Sequence, residues 1–121
     1  MKTAKDPRHL KRIKLMQDLF SWQFSQNSRA PKSISQIISH LKEIDQLIGR
    51  SATDRPIDQI NRVDLSILRL AVFELLMAKN TPPKVVIDEA VELGKQFGAE
   101  SSAAFVNGAL GKIIKIKKIP T

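Results

Sequence analysis

A chain of 121 residues with 20 Lys and Arg against 12 Asp and Glu carries a formal net charge of +8, and its length suits one domain with its own core. It contains no cysteine, which excludes disulfides and thiolate chemistry. No apolar run approaches the ~20 residues of a membrane span, and the start lacks the apolar stretch of a secretory signal, so a soluble, cytoplasmic protein is expected.

Apolar spacing is helical throughout, with no strand-like alternation. Asp6-Pro7 starts the first helix, Asp as N-cap and Pro at the first helical position, and this helix runs to about Gln26. A second covers about Ser35 to Ile48, with Ile34, Ile37, Ile38, Leu41, Ile44 and Ile48 on one face and Gly49 placed to end it. Residues 50–56 form a connector. A third helical stretch spans about Ile57 to Lys79, with a break expected near Asn61; its centre, VDLSILRLAVFELL, is apolar on most sides and is expected to be the most buried element. Thr81-Pro82-Pro83 stops it. A fourth helix sets Ile87, Ala90, Val91, Gly94 and Phe97 on one stripe, carries Asp88 and Glu89 in its first turn, and has Gly98 as its cap. The last begins at Ser101 or Ser102 and points Val106, Ala109, Leu110 and Ile113 inward. The fold class is all-α.

The charge is concentrated at the two ends. Residues 1–14 hold six bases and one acid, residues 112–118 hold four lysines, and everything between holds ten bases and eleven acids. Such ends are either solubilising tails or a polyanion site, the latter if the fold brings them together. There is no Gly-rich phosphate loop and no paired-His metal motif, and His9 and His40 lie far apart, so no metal, cofactor or catalytic activity is expected.

Two ridges have the character of a binding surface. Arg8, Arg12, Met16 and Phe20 are spaced by four, cationic at one end and apolar at the other, with His9 beside them. Met16 and Phe20 are equally read as core, with the arginines as the solvated end of the same stripe. In the last helix Phe105 shares its face with Ser101, Ser102, Gly108 and Lys112, a setting that suits either base stacking or packing under the first helix. Phe97 lies near the same corner. Asn107-Gly108 inside a helix calls for compensation, since Gly costs roughly 1 kcal/mol against Ala there. The expectation is that Gly108 admits a neighbouring helix and that Asn107 hydrogen-bonds backbone nearby, so that Gly108→Leu lowers the melting temperature.

The stretches LFSWQFSQN (19–27), ILRLAVFELL (67–76) and PPKVVIDEAVELGKQFGAESSAAFVNGAL (82–110), with the basic start, resemble the NusB family of bacterial transcription antitermination factors. The resemblance implies a NusB-like helical bundle of two packed sub-bundles within one domain, 1–121, divided at roughly 1–50 and 56–121. The amino-terminal half is shortened between Asn27 and Ile44. It implies no catalysis, and binding of single-stranded boxA-like RNA together with the ribosomal protein NusE, as part of an antitermination complex on RNA polymerase. The family's RNA surface falls on Lys2, Arg8, His9, Arg12, Phe20, Phe97, Ser101 and Phe105, and its NusE-facing acids match Asp58 and Asp64, positions that helix capping also explains. Departures from the family pattern are the thinned arginine run at 8–12, Phe at 20 in place of a frequent Tyr, and Ser at 101 in place of a frequent Asp. The alternative is a protein–protein adaptor of the same fold that has lost specific RNA binding. A third reading is a detached form of the NusB-like domain found fused to some RNA methyltransferases.

Overall fold

Asp6 does cap the first helix: its carboxylate accepts the Arg8 backbone N–H at 2.9 Å, and Pro7 occupies the first helical position, where no amide hydrogen is required. The computed structural model describes residues 6–25 and 29–121. Its elements are α1 (Pro7–Trp22), α2 (Ser35–Ser39), α3 (Leu41–Ser51), α4 (Arg62–Phe73), α5 (Pro83–Phe97) and α6 (Ser102–Lys117). Short 3-10 turns precede α2 (Lys32–Ile34) and α4 (Ile57–Gln59), and α4 widens into a π turn over Glu74–Ala78. No strand occurs among the described residues, so the architecture is all-α, as expected.

α4 is the central element. Every residue from Asp64 to Val72 is buried, and α1, α3, α5 and α6 all pack on it. One core cluster runs from Met16 and Leu19 on α1 through Ile34, Ile44 and Ile48 to Leu110 and Ile113 on α6. Each such aliphatic side chain contributes roughly 1.5–3 kcal/mol of transfer free energy. α1 ends at Trp22, short of the expected Gln26. The Gln23 amide donates to the Arg62 carbonyl at 2.9 Å and to Ser66 Oγ at 2.7 Å, fixing the end of α1 to the start of α4. Asp18 joins the other flank, accepting from Lys14 Nζ and Ser33 Oγ, both at 2.7 Å. Partial burial raises its pKa, but these two donors outweigh that and hold it below the usual carboxylate value.

Two expected boundaries move and one holds. The helix expected over 35–48 is split at His40, whose ring Nδ1 sits 2.9 Å from the Gln36 carbonyl while Ser39 Oγ donates to the same oxygen at 2.8 Å. Side chains there compete for a helix carbonyl and turn the chain. Gly49 does not end α3, which continues to Ser51. The break near Asn61 is real, and Asn61 caps α4 by accepting the amides of Val63 and Asp64.

The glycines reverse an expectation. A Cβ at Gly108 would meet nothing within 4 Å, and Asn107 is exposed, so neither mediates a close approach or a buried contact. The tight crossing is between α5 and α6. A Cβ at Gly94 would lie 3.3 Å from the Ala103 backbone, and one at Gly98 would strike the Ser102 side chain. Gly98 adopts extended φ and ψ of −90° and −169°, so space rather than backbone conformation demands glycine there. Ser102 Oγ meanwhile accepts the Ala99 amide at 2.8 Å across that corner. We therefore expect Gly98→Ala to lower stability by about 1–3 kcal/mol. Gly108→Ala should raise it by up to about 1 kcal/mol through helix propensity. Paired thermal melts of the two variants check both signs.

Candidate nucleic-acid interface

The start of α1 is held down by a polar cluster that no spacing pattern announced. His9 is 2% exposed. Its Nδ1 lies 3.0 Å from Glu89 Oε1 and its Nε2 3.0 Å from Gln96 Oε1. Nδ1 thus faces the Glu89 carboxylate, and the Gln96 amide, which can present either end, partners Nε2. Arg12 forms a bidentate pair with Glu74, 2.9 Å from Nε and 2.7 Å from Nη2, and its Nη1 is 3.7 Å from Glu89. Two buried or nearly buried carboxylates, one on α5 and one on the π turn, are thus compensated from α1. Buried charge is tolerated only when paired and hydrogen-bonded in this way.

These contacts decide which of the residues expected on the RNA surface face outward. His9 is interior, and Arg12 is turned into the protein, so neither presents a free cationic head. Arg8 is the side chain of this ridge that points outward, 87% exposed. Lys2 lies outside the described residues. Met16 is core, whereas Phe20 is half-buried and stacks edge-on with Phe24, centroids 5.1 Å apart. Phe24 is 61% exposed, with the Arg62 guanidinium 5.0 Å above its ring.

At the far corner, Phe97 ends α5 and is exposed, and Ser101 precedes α6 with its hydroxyl exposed and making no cap bond. Phe105 is half-buried, and the Arg55 guanidinium lies 4.3 Å over its ring. Lys112 Nζ donates to Thr53 Oγ1 at 3.0 Å, so the 52–56 connector is laid along α6. Arg55, Arg62 and Phe24 were missed by sequence reasoning. Phe24 continues the four-residue spacing of the α1 ridge, but nothing local pairs an arginine with either ring. The His9–Gln96 contact ties the start of α1 to the end of α5, one residue before Phe97.

Asp58 is exposed in the 57–59 turn. Asp64 is 3% exposed, and one of its oxygens has no hydrogen-bond partner among the described residues, so it offers no open carboxylate to a partner. It does not cap α4 either; Asn61 does. Asp88 and Glu89 fall in the second turn of α5, which starts at Pro83. The buried stripe of α5 is Val86, Glu89, Ala90, Leu93 and Gly94, rotated from the expected one because Glu89 faces His9.

A groove of about 870 Å³ runs between α1 and the 32–37 segment on one side and residues 74–85 on the other. Arg8, Lys11 and Lys32 line it above an apolar wall of Leu15, Ile37 and Phe73. Among the described residues no cluster of His, Asp and Glu could hold a metal ion, and no helix is long and apolar enough to cross a membrane.

If Arg12 is structural, Arg12→Ala should cost about 2–4 kcal/mol by leaving Glu74 and Glu89 uncompensated. A double-mutant cycle with Glu74→Ala should return a coupling of roughly 1–3 kcal/mol in urea unfolding. Additive single effects would place Arg12 on an independent surface instead.

Comparison with known proteins bears on the whole chain. The NusB family profile matches residues 25–115. The transcription antitermination protein NusB of Myxococcus xanthus is 48% identical over 84 residues, 69% of this chain and 60% of the relative, so the matched stretch spans about three fifths of that protein. Its counterpart in Colwellia psychrerythraea is 38% identical over 129 residues, covering 91% of this chain and 94% of the relative. Among solved structures, T. maritima NusB superposes with a TM-score of 0.82 at 32% identity, over 95% of this chain and 93% of that one. A chain from the crystal structure of antitermination factors NusB and NusE in complex with dsRNA superposes with a TM-score of 0.74 at 25% identity, over 92% and 99%. With the fold and the sequence match in agreement, the chain belongs to the NusB family.

Proposed function

We propose that this chain is a transcription antitermination factor that binds single-stranded boxA-like RNA together with the ribosomal protein NusE, acting in the cytoplasm within an antitermination complex on RNA polymerase. The observation that carries the reading is the tie between the two ridges: His9, next to the outward Arg8, holds Gln96, next to the exposed Phe97, and the Arg55–Phe105 pair lies one turn into α6. A cation next to exposed rings and a free hydroxyl is what a flexible phosphate chain with unstacked bases needs. On this reading Arg8 and Lys2 meet phosphates, and Phe97, Ser101, Phe105 and Phe20 border the bases. Arg12 and His9 act one step removed, by holding α1 in place. The exposed Asp58, in the 57–59 turn before α4, is the acid available to NusE.

A second reading has its own support: with Arg12 and His9 turned inward, the cationic face is thinner than the sequence implied, which favours a protein–protein adaptor. Fluorescence anisotropy of a boxA-like RNA against a scrambled control, with and without NusE and across salt, separates the two. The RNA reading expects preferential binding strengthened by NusE, and a log–log salt slope of about −0.7 per phosphate contact. It also expects Phe97→Ala to weaken binding roughly 5–150-fold, in line with the ~1–3 kcal/mol per stacked base, and Arg8→Ala to weaken it while reducing the salt slope by about 0.7. NusE binding with no gain in RNA selectivity would select the adaptor.

A further inference from the structure

The second basic end of the chain borders a different groove. It holds about 570 Å³ and lies across the 78–83 segment from the α1 groove, Thr81 lining both. Its floor is apolar: Leu76 and Met77 of the π turn, with Ile119 and Pro120 beyond α6. Its rim is cationic, formed by the exposed Lys79, Lys117 and Lys118, with Glu43 at one edge. Among the described residues, none of these three ammonium groups has a hydrogen-bond or ion-pair partner.

Two of the rim lysines also adopt a backbone conformation that lysine does not favour. Lys79 has φ 51° and Lys118 has φ 53°, and among the described residues they alone combine a side chain with positive φ. Lys118 closes α6 in a Schellman-type turn, the Ile119 amide reaching back to the Ile114 carbonyl at 3.0 Å. Lys79 closes the π turn by donating its amide to the Glu74 carbonyl at 3.1 Å. Glycine would serve both turns with less backbone strain. The fold therefore accounts for the turns but not for the two charged side chains that meet over one apolar floor.

We propose that this groove docks a short segment of a protein partner in which acidic residues flank one or two large apolar side chains. The unpaired lysines complement the acids, and the adaptable Met77 and neighbouring Leu76 receive the apolar side chains. Among the described residues no aromatic ring or arginine lines the groove, so they supply none of the stacking planes by which unpaired bases are held. The proposal is independent of the RNA surface, since none of Arg8, Phe97, Ser101 or Phe105 lines this groove.

The test is selection of a random dodecapeptide display library on the full chain, with counter-selection on Lys79→Gly/Lys118→Gly. That double variant should melt at or above the wild-type temperature. Enriched peptides should pair acids with a large apolar residue and bind the double variant at least about tenfold more weakly, with Met77→Ser weakening them about fivefold. Lys79→Gln/Lys118→Gln, which retains side-chain length, should repeat the loss if the glycine variant melts early. The proposal is overturned if no peptide is enriched, or if enriched peptides bind the charge-free variants as well as wild type. It is also overturned if a single-stranded oligouridylate binds wild type and loses as much affinity in those variants as the peptides do, which would assign the groove to RNA.

Discussion

The buried carboxylate of Glu89 is the constraint on which the candidate surface depends. A charge at 3% side-chain exposure must be matched, and the match comes from His9 and Arg12, both on α1. Glu74, at the start of the π turn, takes the bidentate face of Arg12. The start of α1 is thereby positioned against α5 and the end of α4 by polar geometry, while its later part is held by Met16, Leu19 and Gln23. Once residues 9 and 12 face inward, Arg8 faces outward and Gln96 is brought to the same end as Phe97. The order of side chains at the candidate RNA surface thus follows from the pairing beneath it.

This division explains what the sequence could show. Apolar periodicity located the helices well, because the inward positions of α3, α4 and α6 are filled by Ile, Leu and Val; Val106, Ala109, Leu110 and Ile113 are all buried as their spacing required. Asp6-Pro7 and Thr81-Pro82-Pro83 marked ends through local backbone chemistry, which a sequence carries explicitly. Where polar residues are buried, periodicity misleads. Glu89 reads as a first-turn acid that suits the helix dipole, and the stripe of α5 is drawn one residue too far round; His9 and Arg12 read as part of the outer ridge because their partners lie 62 to 87 residues away. Asn107-Gly108 looked like a packing device, but the crossing that excludes a Cβ is made by Gly94 and Gly98. Only the identity of the facing residue distinguishes those cases. Arg55 and Arg62 were invisible for the same reason, since a cation over a ring is a tertiary fact.

The two basic ends, separated by most of the chain, come to lie on either side of the 78–83 segment. Their settings nevertheless differ. The amino-terminal end has part of its charge consumed internally by Glu74 and Glu89, whereas at the carboxy-terminal end Lys112 bonds Thr53, and Lys117 and Lys118 line an aliphatic floor without partners among the described residues. Net charge alone makes both a polyanion site; the floor beneath each charge decides what it can recognise. One face sets an exposed arginine at the start of α1, the other sets lysines over aliphatic side chains, and the two are joined through the π turn that ends α4.

The claim that the Glu89 cluster fixes the start of α1 is tested most directly by amide hydrogen exchange in Glu89→Leu. Leucine fills the volume but withdraws the acceptor from His9 and Arg12. The account predicts that amides of residues 10–14 exchange at least about tenfold faster than in wild type while those of α4 are unchanged, a local opening of α1. Unchanged protection at 10–14 would contradict it and show that apolar packing alone holds α1 in place.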